Sequence, residues 1–301
     1  MSRMIKYFLL AAAALMLFGF CGCAELWGGD EPTASEAAAV EYKGAEKVLE
    51  IPVGEGEGRI PDIFTAEGEL GLADLRAVSD DEFIVLDSSN MALYYLGRDG
   101  MKKTVSLEGV CSAPMRVAYK DGVTAVLDAG GIALLDENGQ VTDTLGLPEE
   151  LDRYYHGVTY FEFDEGGLTW QVGAEKSFRM EGDKALELGA VVSVGILIDH
   201  AQVTAHGGTW KVPLEKPPVY PVAVRGIRLL AVTYGSESET PAAGLYIART
   251  DAYALAELDV SGCAAGPLPF DFTMSPSGRV YALTCYEDRV ELSELVFETV
   301  G

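Results

Sequence analysis

The sequence predicts an all-β fold built from repeated four-stranded units, and three observations carry this reading. From Lys47 onward, short runs rich in β-branched and aromatic residues alternate with Gly, Asp, Ser and Asn turns, and no long stretch has helical spacing. The segment from Leu72 to Leu107 divides into LADLRAVS, EFIVLD, MALYYLG and KKTVSL, four strands joined by polar turns. The second of these strands recurs: EFIVLD (82–87), VTAVLD (123–128), RLLAVT (228–233) and RVYALT (279–284) align without gaps, each apolar at its centre and ending in Asp or Thr. Four-stranded units recurring about every 40 residues predict a β-propeller.

The units follow in order. KVLEIPV (47–53) is a strand that belongs to no unit of its own. After the unit at 72–107, the next reads PMRVAYK, VTAVLD, IALLDENGQ and VTDTLGL. A third occupies 157–189. Between 190 and 225, VVSVGILID, AQVTAH and GTWKVPL supply three strands and no obvious fourth. Six blades are therefore expected, with a five-bladed ring containing one irregular blade as the alternative. The last unit, 270–297, opens with a hairpin in which SPSG supplies the turn, and it has three strands. Pairing KVLEIPV with it removes two open sheet edges and closes the ring, giving one domain over 47–301. Sheets buried between neighbours explain strands that are apolar on both faces, such as FIVL, TAVL and LLAV.

VGEGEGRIPDIF (53–64) resembles the Gly-rich lead-in of NHL-repeat propellers, and FIVLDSSNMALYYLGRDG (83–100) resembles their blade consensus. The resemblance covers nearly all of 48–301 and implies a six-bladed ring whose loop face commonly binds ligands.

The amino terminus reads differently. Arg3 and Lys6 precede an uncharged apolar run from Tyr7 to Phe20, and small Gly22 stands before Cys23. Basic, apolar and small, in that order, is the layout of an export signal. Phe20-Cys21-Gly22-Cys23 resembles the bacterial lipobox, with Phe20 where Leu is usual and Cys21 where Ala or Ser is usual. The resemblance implies a signal peptide over 1–22, a lipid on Cys23, and a bacterial lipoprotein anchored outside the cytoplasm. Several acyl chains make such anchoring stable. Residues 23–46, rich in Ala, Gly and Glu, are expected to be a flexible acidic tether. An uncleaved amino-terminal anchor is the alternative, and it also leaves the domain outside.

The chain carries 22 basic and 47 acidic side chains, and loss of the signal leaves 20 basic residues. This surface repels nucleic acid and anionic headgroups, so neither DNA nor RNA is an expected partner. Solubility accounts for such a charge, with affinity for a cationic ligand or cell-wall amine as the alternative. Cys111, Cys263 and Cys285 are an odd number, which cannot form a complete disulfide framework, although a Cys263–Cys285 bond stays open. His156, His200 and His206 have no His or Cys at zinc-site spacing, so no resident metal and no cofactor are expected.

Three patterns invite chemistry. GEGEG (54–58) lacks the spacing and the following helix of a dinucleotide site, and reads as a flexible connection. Asp87 and Asp128 end equivalent strands, where turn capping explains them better than calcium. Arg153, Tyr154, Tyr155 and His156 form the densest polar–aromatic cluster, between the second and third units, and are the candidate binding residues. The expected function is a membrane-tethered scaffold that binds a protein, peptide or cell-envelope ligand. A lactonase-like hydrolase with a metal in the central channel is the alternative.

Overall fold

The computed structural model describes residues 39–63, 71–147, 158–164, 166–172, 176–181, 184–196, 200–206, 208–213, 219–234, 241–248, 252–257, 263 and 272–300. All of them belong to one compact unit, Ala34–Gly301. Every regular element among them is a strand, and the strands form six antiparallel sheets. The molecule is a six-bladed β-propeller.

Blade 1 contains β2 (Leu72–Ala77), β3 (Glu82–Asp87), β4 (Ala92–Gly97) and β5 (Gly100–Ser106). Blade 2 contains β6 (Arg116–Lys120), β7 (Val123–Asp128), β8 (Gly131–Leu135) and β9 (Val141–Leu145). Blade 3 contains β10 (Val158–Asp164), β11 (Gly167–Val172), β12 (Lys176–Glu181) and β13 (Lys184–Gly189). Blade 4 has three strands, β14 (Val192–Ile196), β15 (His200–Ala205) and β16 (Gly208–Pro213). Blade 5 contains β17 (Val219–Arg225), β18 (Arg228–Tyr234), β19 (Pro241–Ile247) and β20 (Tyr253–Glu257). Blade 6 contains β21 (Phe272–Met274), β22 (Val280–Cys285), β23 (Arg289–Val300) and the amino-terminal β1 (Ala39–Pro52). The five-bladed alternative fails: the three strands after residue 190 form a sheet of their own. The four aligned segments are the second strands β3, β7, β18 and β22.

Ring closure follows the expected route but is longer. β1 runs antiparallel to β23 from Ala39↔Val300 to Pro52↔Arg289, with register shifts at Tyr42/Gly44 and Lys47/Leu49. The strand thus begins at Ala39 and not at Lys47, so residues 39–46, expected in the tether, are paired. Their Glu and Lys side chains face water while Val40 is buried. A half-polar edge strand reads as coil in composition, and only the partner β23 decides it.

The core lies between blades. On β3, Phe83 and Val85 pack in the cluster shared with blade 6, while Ile84 and Leu86 pack in the cluster shared with blade 2. The same division puts Leu230 and Val232 against blade 6, and Leu229 and Ala231 against blade 4. Period-two alternation with both faces covered is why these strands read as continuous apolar runs. The seam between blades 3 and 4 is instead crossed by a side-chain amide. Gln171 donates through Nε2 to Val192 O (2.6 Å) and accepts from Val192 N at Oε1 (2.7 Å). Ser177 Oγ donates to Gln171 Oε1 (3.1 Å) and accepts from Val191 N (2.9 Å).

Candidate functional site

The first strand of each blade has no strand beyond it, so its outer row of backbone groups faces the ring axis without a ladder partner. Buried backbone groups of this kind need partners. Side chains from neighbouring blades supply them. Arg76 of β2 donates through Nε and Nη2 to Val117 O (3.3 and 3.2 Å) and through Nη2 to Phe161 O (2.9 Å), reaching two blades. Arg116 of β6 donates through Nη2 to Val158 O (3.3 Å), and Lys120 Nζ to Asp164 O (2.9 Å). Asp74 accepts from Val117 N (2.7 Å) and from Leu75 N (3.1 Å). Thr273 Oγ1 accepts from Ala77 N (3.1 Å), joining blade 6 to blade 1.

These contacts gather charge at the axis. Glu162 of β10, buried, pairs with Arg225 of β17 through Oε1, and Arg76 Nη1 stands 3.5 Å from the same oxygen. Blades 1, 3 and 5 thus meet at one carboxylate. Burial alone would raise the Glu162 pKa, but Arg76 and Arg225 outweigh it and hold the group below the usual carboxylate range. Asp74 goes the other way: burial raises it against the pull of Arg116, Arg76 and two backbone N–H groups. Burial also lowers Arg116, opposed by Asp74. Half-buried Tyr160, next to this cluster, shares a 3.0 Å hydrogen bond between its hydroxyl and His206 Nε2, linking blade 3 to the β15–β16 turn. Burial, then Glu162, raises the Tyr160 pKa.

Comparisons place the chain by shape alone. No family model and no curated protein matches it. Its fold is similar to that of a streptogramin B lyase, at 12% identity and TM-score 0.51, over 78% of this chain and 96% of that one. It is also similar to a member of the DUF4221 family from Bacteroides vulgatus, at 8% identity and TM-score 0.52, over 88% of this chain and 100% of that one. The likeness is one of fold.

Of the residues singled out in the sequence, Cys23, Arg153, Tyr154, Tyr155 and His156 lie outside the described residues. Asp87 accepts from Asn90 N (2.9 Å), Asn90 Nδ2 (2.8 Å) and Tyr94 Oη (3.1 Å). Asp128 accepts from Ala113 N (2.6 Å), Ser112 N (2.8 Å) and Gly130 N (3.2 Å). Both aspartates are turn caps. GEGEG is a connection: Gly54 N donates to Ile60 O (2.8 Å), and Gly54, Gly56 and Gly58 have φ of 127°, 122° and 74°, where a side chain would be strained. Among the described residues no disulfide joins Cys263 to Cys285. Cys111 is buried, and burial with nearby Asp128 pushes its thiol up to about 12, the property of an inert packing cysteine.

Sequence reasoning missed the axial cluster. Its signal was present: charged residues interrupt otherwise apolar first strands, two each in LADLRA, RVAYK and YFEFD and one in PVAVR. The recurrence that marks the blades lies in their second strands, and only ring closure brings the first-strand charges together.

Proposed function

We propose that this chain is an extracytoplasmic lipoprotein, held to the membrane through Cys23, whose NHL-like propeller is a rigid scaffold binding a protein, peptide or cell-envelope ligand. The observation that supports the scaffold reading is the employment of the axial side chains. Arg76, Arg116, Asp74 and Glu162 tie neighbouring or opposite blades together, which makes the ring stiff and leaves recognition to its faces. Arg153, Tyr154, Tyr155 and His156, between blades 2 and 3, have the amphipathic character that suits such a face.

The hydrolase alternative requires carboxylates and amides free to ligate a channel metal. The described axial residues do not fit that ion. Asp74 is engaged by backbone N–H groups, Glu162 is gripped by two guanidinium groups, and a cation would meet like charge.

Two measurements on the purified chain test the proposal. A lactone panel with added divalent cations is expected to give no turnover. Metal-dependent hydrolysis that is lost in Glu162→Gln would overturn the scaffold reading. Crosslinking in the native envelope is expected to join residues 153–156 to a partner. Crosslinks confined to the outer strands would overturn their placement on the binding face.

A further inference from the structure

We propose that Asn138 is a site of spontaneous deamidation in the folded protein, and that the product loosens the contact between blades 1 and 2. The inference is independent of the membrane tether and of the scaffold reading. Asn90 and Asn138 are the two asparagines of the chain, and the fold treats them in opposite ways. Asn90 is followed by Met91, and its amide is held: Nδ2 donates to Asp62 O (2.8 Å) and to Asp87 Oδ2 (2.8 Å). Asn138 is exposed at the tip of the β8–β9 hairpin and is followed by Gly139.

The turn itself demands this reactive pair. Asp136 N donates to Gln140 O (2.9 Å) and Gly139 N to Asp136 O (2.9 Å), which closes a hairpin loop over residues 137–139. Such a loop sets its last residue in the left-handed region, and Gly139 has a φ of 82°. Blade 1 adds a second demand, because a Cβ at position 139 would lie 2.5 Å from Val105 Cγ2 on β5. Glycine is therefore required after Asn138, and with no Cβ beside it the Gly139 nitrogen is the least hindered of backbone nucleophiles.

The reaction consumes water alone. Gly139 N attacks Asn138 Cγ and forms the new N–C bond. The Cγ–Nδ2 bond breaks, and the proton given up by Gly139 N leaves with Nδ2 as ammonia. Water then opens the five-membered imide at either carbonyl. Opening on the side-chain side gives aspartate; opening on the main-chain side gives isoaspartate, with one more carbon in the backbone. Both products carry a new carboxylate. In the closed turn the Gly139 N–H is bonded to Asp136 O, so attack follows local opening of the tip, which costs far less than global unfolding.

The consequence falls on the seam between the blades. Lys103 Nζ stands 3.9 Å over the Tyr95 ring of blade 1 and donates to Glu137 O of the loop. Asp136 Oδ1 accepts from Asn138 N (2.9 Å) and Gln140 N (2.8 Å). An added backbone carbon between residues 138 and 139 shifts Gly139 against Val105 and pulls the loop off these partners. The new charge arrives beside Asp136 and Glu137.

The test incubates the full chain, purified in detergent, in mildly alkaline buffer well below its melting temperature, with a urea-unfolded sample beside it. Peptide mapping reads the mass at residues 90 and 138, and ion exchange separates the modified fraction for thermal unfolding. The folded chain is expected to gain the mass difference of amide to acid at 138 and not at 90, as a mixture of isoaspartate and aspartate. The isoaspartate fraction is expected to melt a few degrees below the unmodified chain. Asn138→Gln, which would have to close a larger ring, is expected to lose the gain, and Asn138→Ser stands in should it not fold. Asn138→Asp carries the charge without the added carbon and is expected to melt above the isoaspartate fraction. The proposal is overturned if the folded chain gains no mass at 138 whatever the urea sample does, if Asn90 gains mass as fast, or if the isoaspartate fraction melts as the unmodified chain does.

Discussion

Glu162 and Asp74 both belong to the axial cluster, yet their pKa values shift in opposite senses. The depressed pKa of Glu162 contributes stability that is present above its unfolded value and lost as pH falls through the folded one. The raised pKa of Asp74 contributes stability below its unfolded value, lost as pH rises through the folded one. Glu162→Gln is therefore expected to flatten the acid limb of the stability profile and cost roughly 3 kcal/mol at neutral pH, since it breaks a buried pair. Asp74→Asn is expected to steepen the same limb. Urea unfolding between about pH 3 and 7 checks both, and parallel profiles for the two variants would contradict the assignment. Two tryptophans give a second contrast. Trp210 Nε1 donates to Ile227 O (2.9 Å) across the blade 4–5 seam, while buried Trp170 Nε1 has no partner among the described residues. Both changes to Phe remove similar volume, but only the first orphans a carbonyl. Trp210→Phe is expected to cost about 1 kcal/mol more than Trp170→Phe, measured as the difference in urea midpoint at equal slope.

At the scale of the element, legibility followed periodicity. The second strands β3, β7, β18 and β22 were readable because covered faces make them apolar throughout, and turn residues mark their ends. The three strands of blade 4 among the described residues were readable from pattern, since VVSVGILID, AQVTAH and GTWKVPL offer no obvious fourth. The outer part of β1 was not: Glu41, Lys43 and Glu46 resemble tether, and their strand state depends on β23 far along the chain. The axial cluster was illegible for a related reason. A lone Arg in a strand has no meaning until the ring brings it to the Glu of another blade. Truncations test the closure. A chain starting at Ala24 is expected to melt like the whole exported domain. One starting at Lys47 should lose part of the β1–β23 ladder and melt lower, and one starting at Gly54 should lose several kcal/mol or aggregate through the freed edge of β23. Equal melting temperatures for the three would rule out closure by β1.

At the scale of the whole molecule, the proposed anchor and the charge would act together. Acidic surface repels anionic headgroups, so the proposed lipid on Cys23 is expected to supply all of the membrane affinity. Cys23→Ser should leave an unprocessed precursor lacking acyl mass, read by intact mass, and cleavage at another site would remove this assignment. The pairing of β1 with β23 also imposes an order in time. β1 is made before any blade, yet its partner is synthesised after all the other strands. The loop that must close is nearly the whole folded unit, so this ladder forms late and slowly compared with the local hairpins. Until then the nascent chain carries an unmatched strand at its leading end, and a ribosome stalled before β23 would release a product that no local pairing can complete. Ring closure thus ties the native state to synthesis through β23, and incomplete chains remain open to proteolysis.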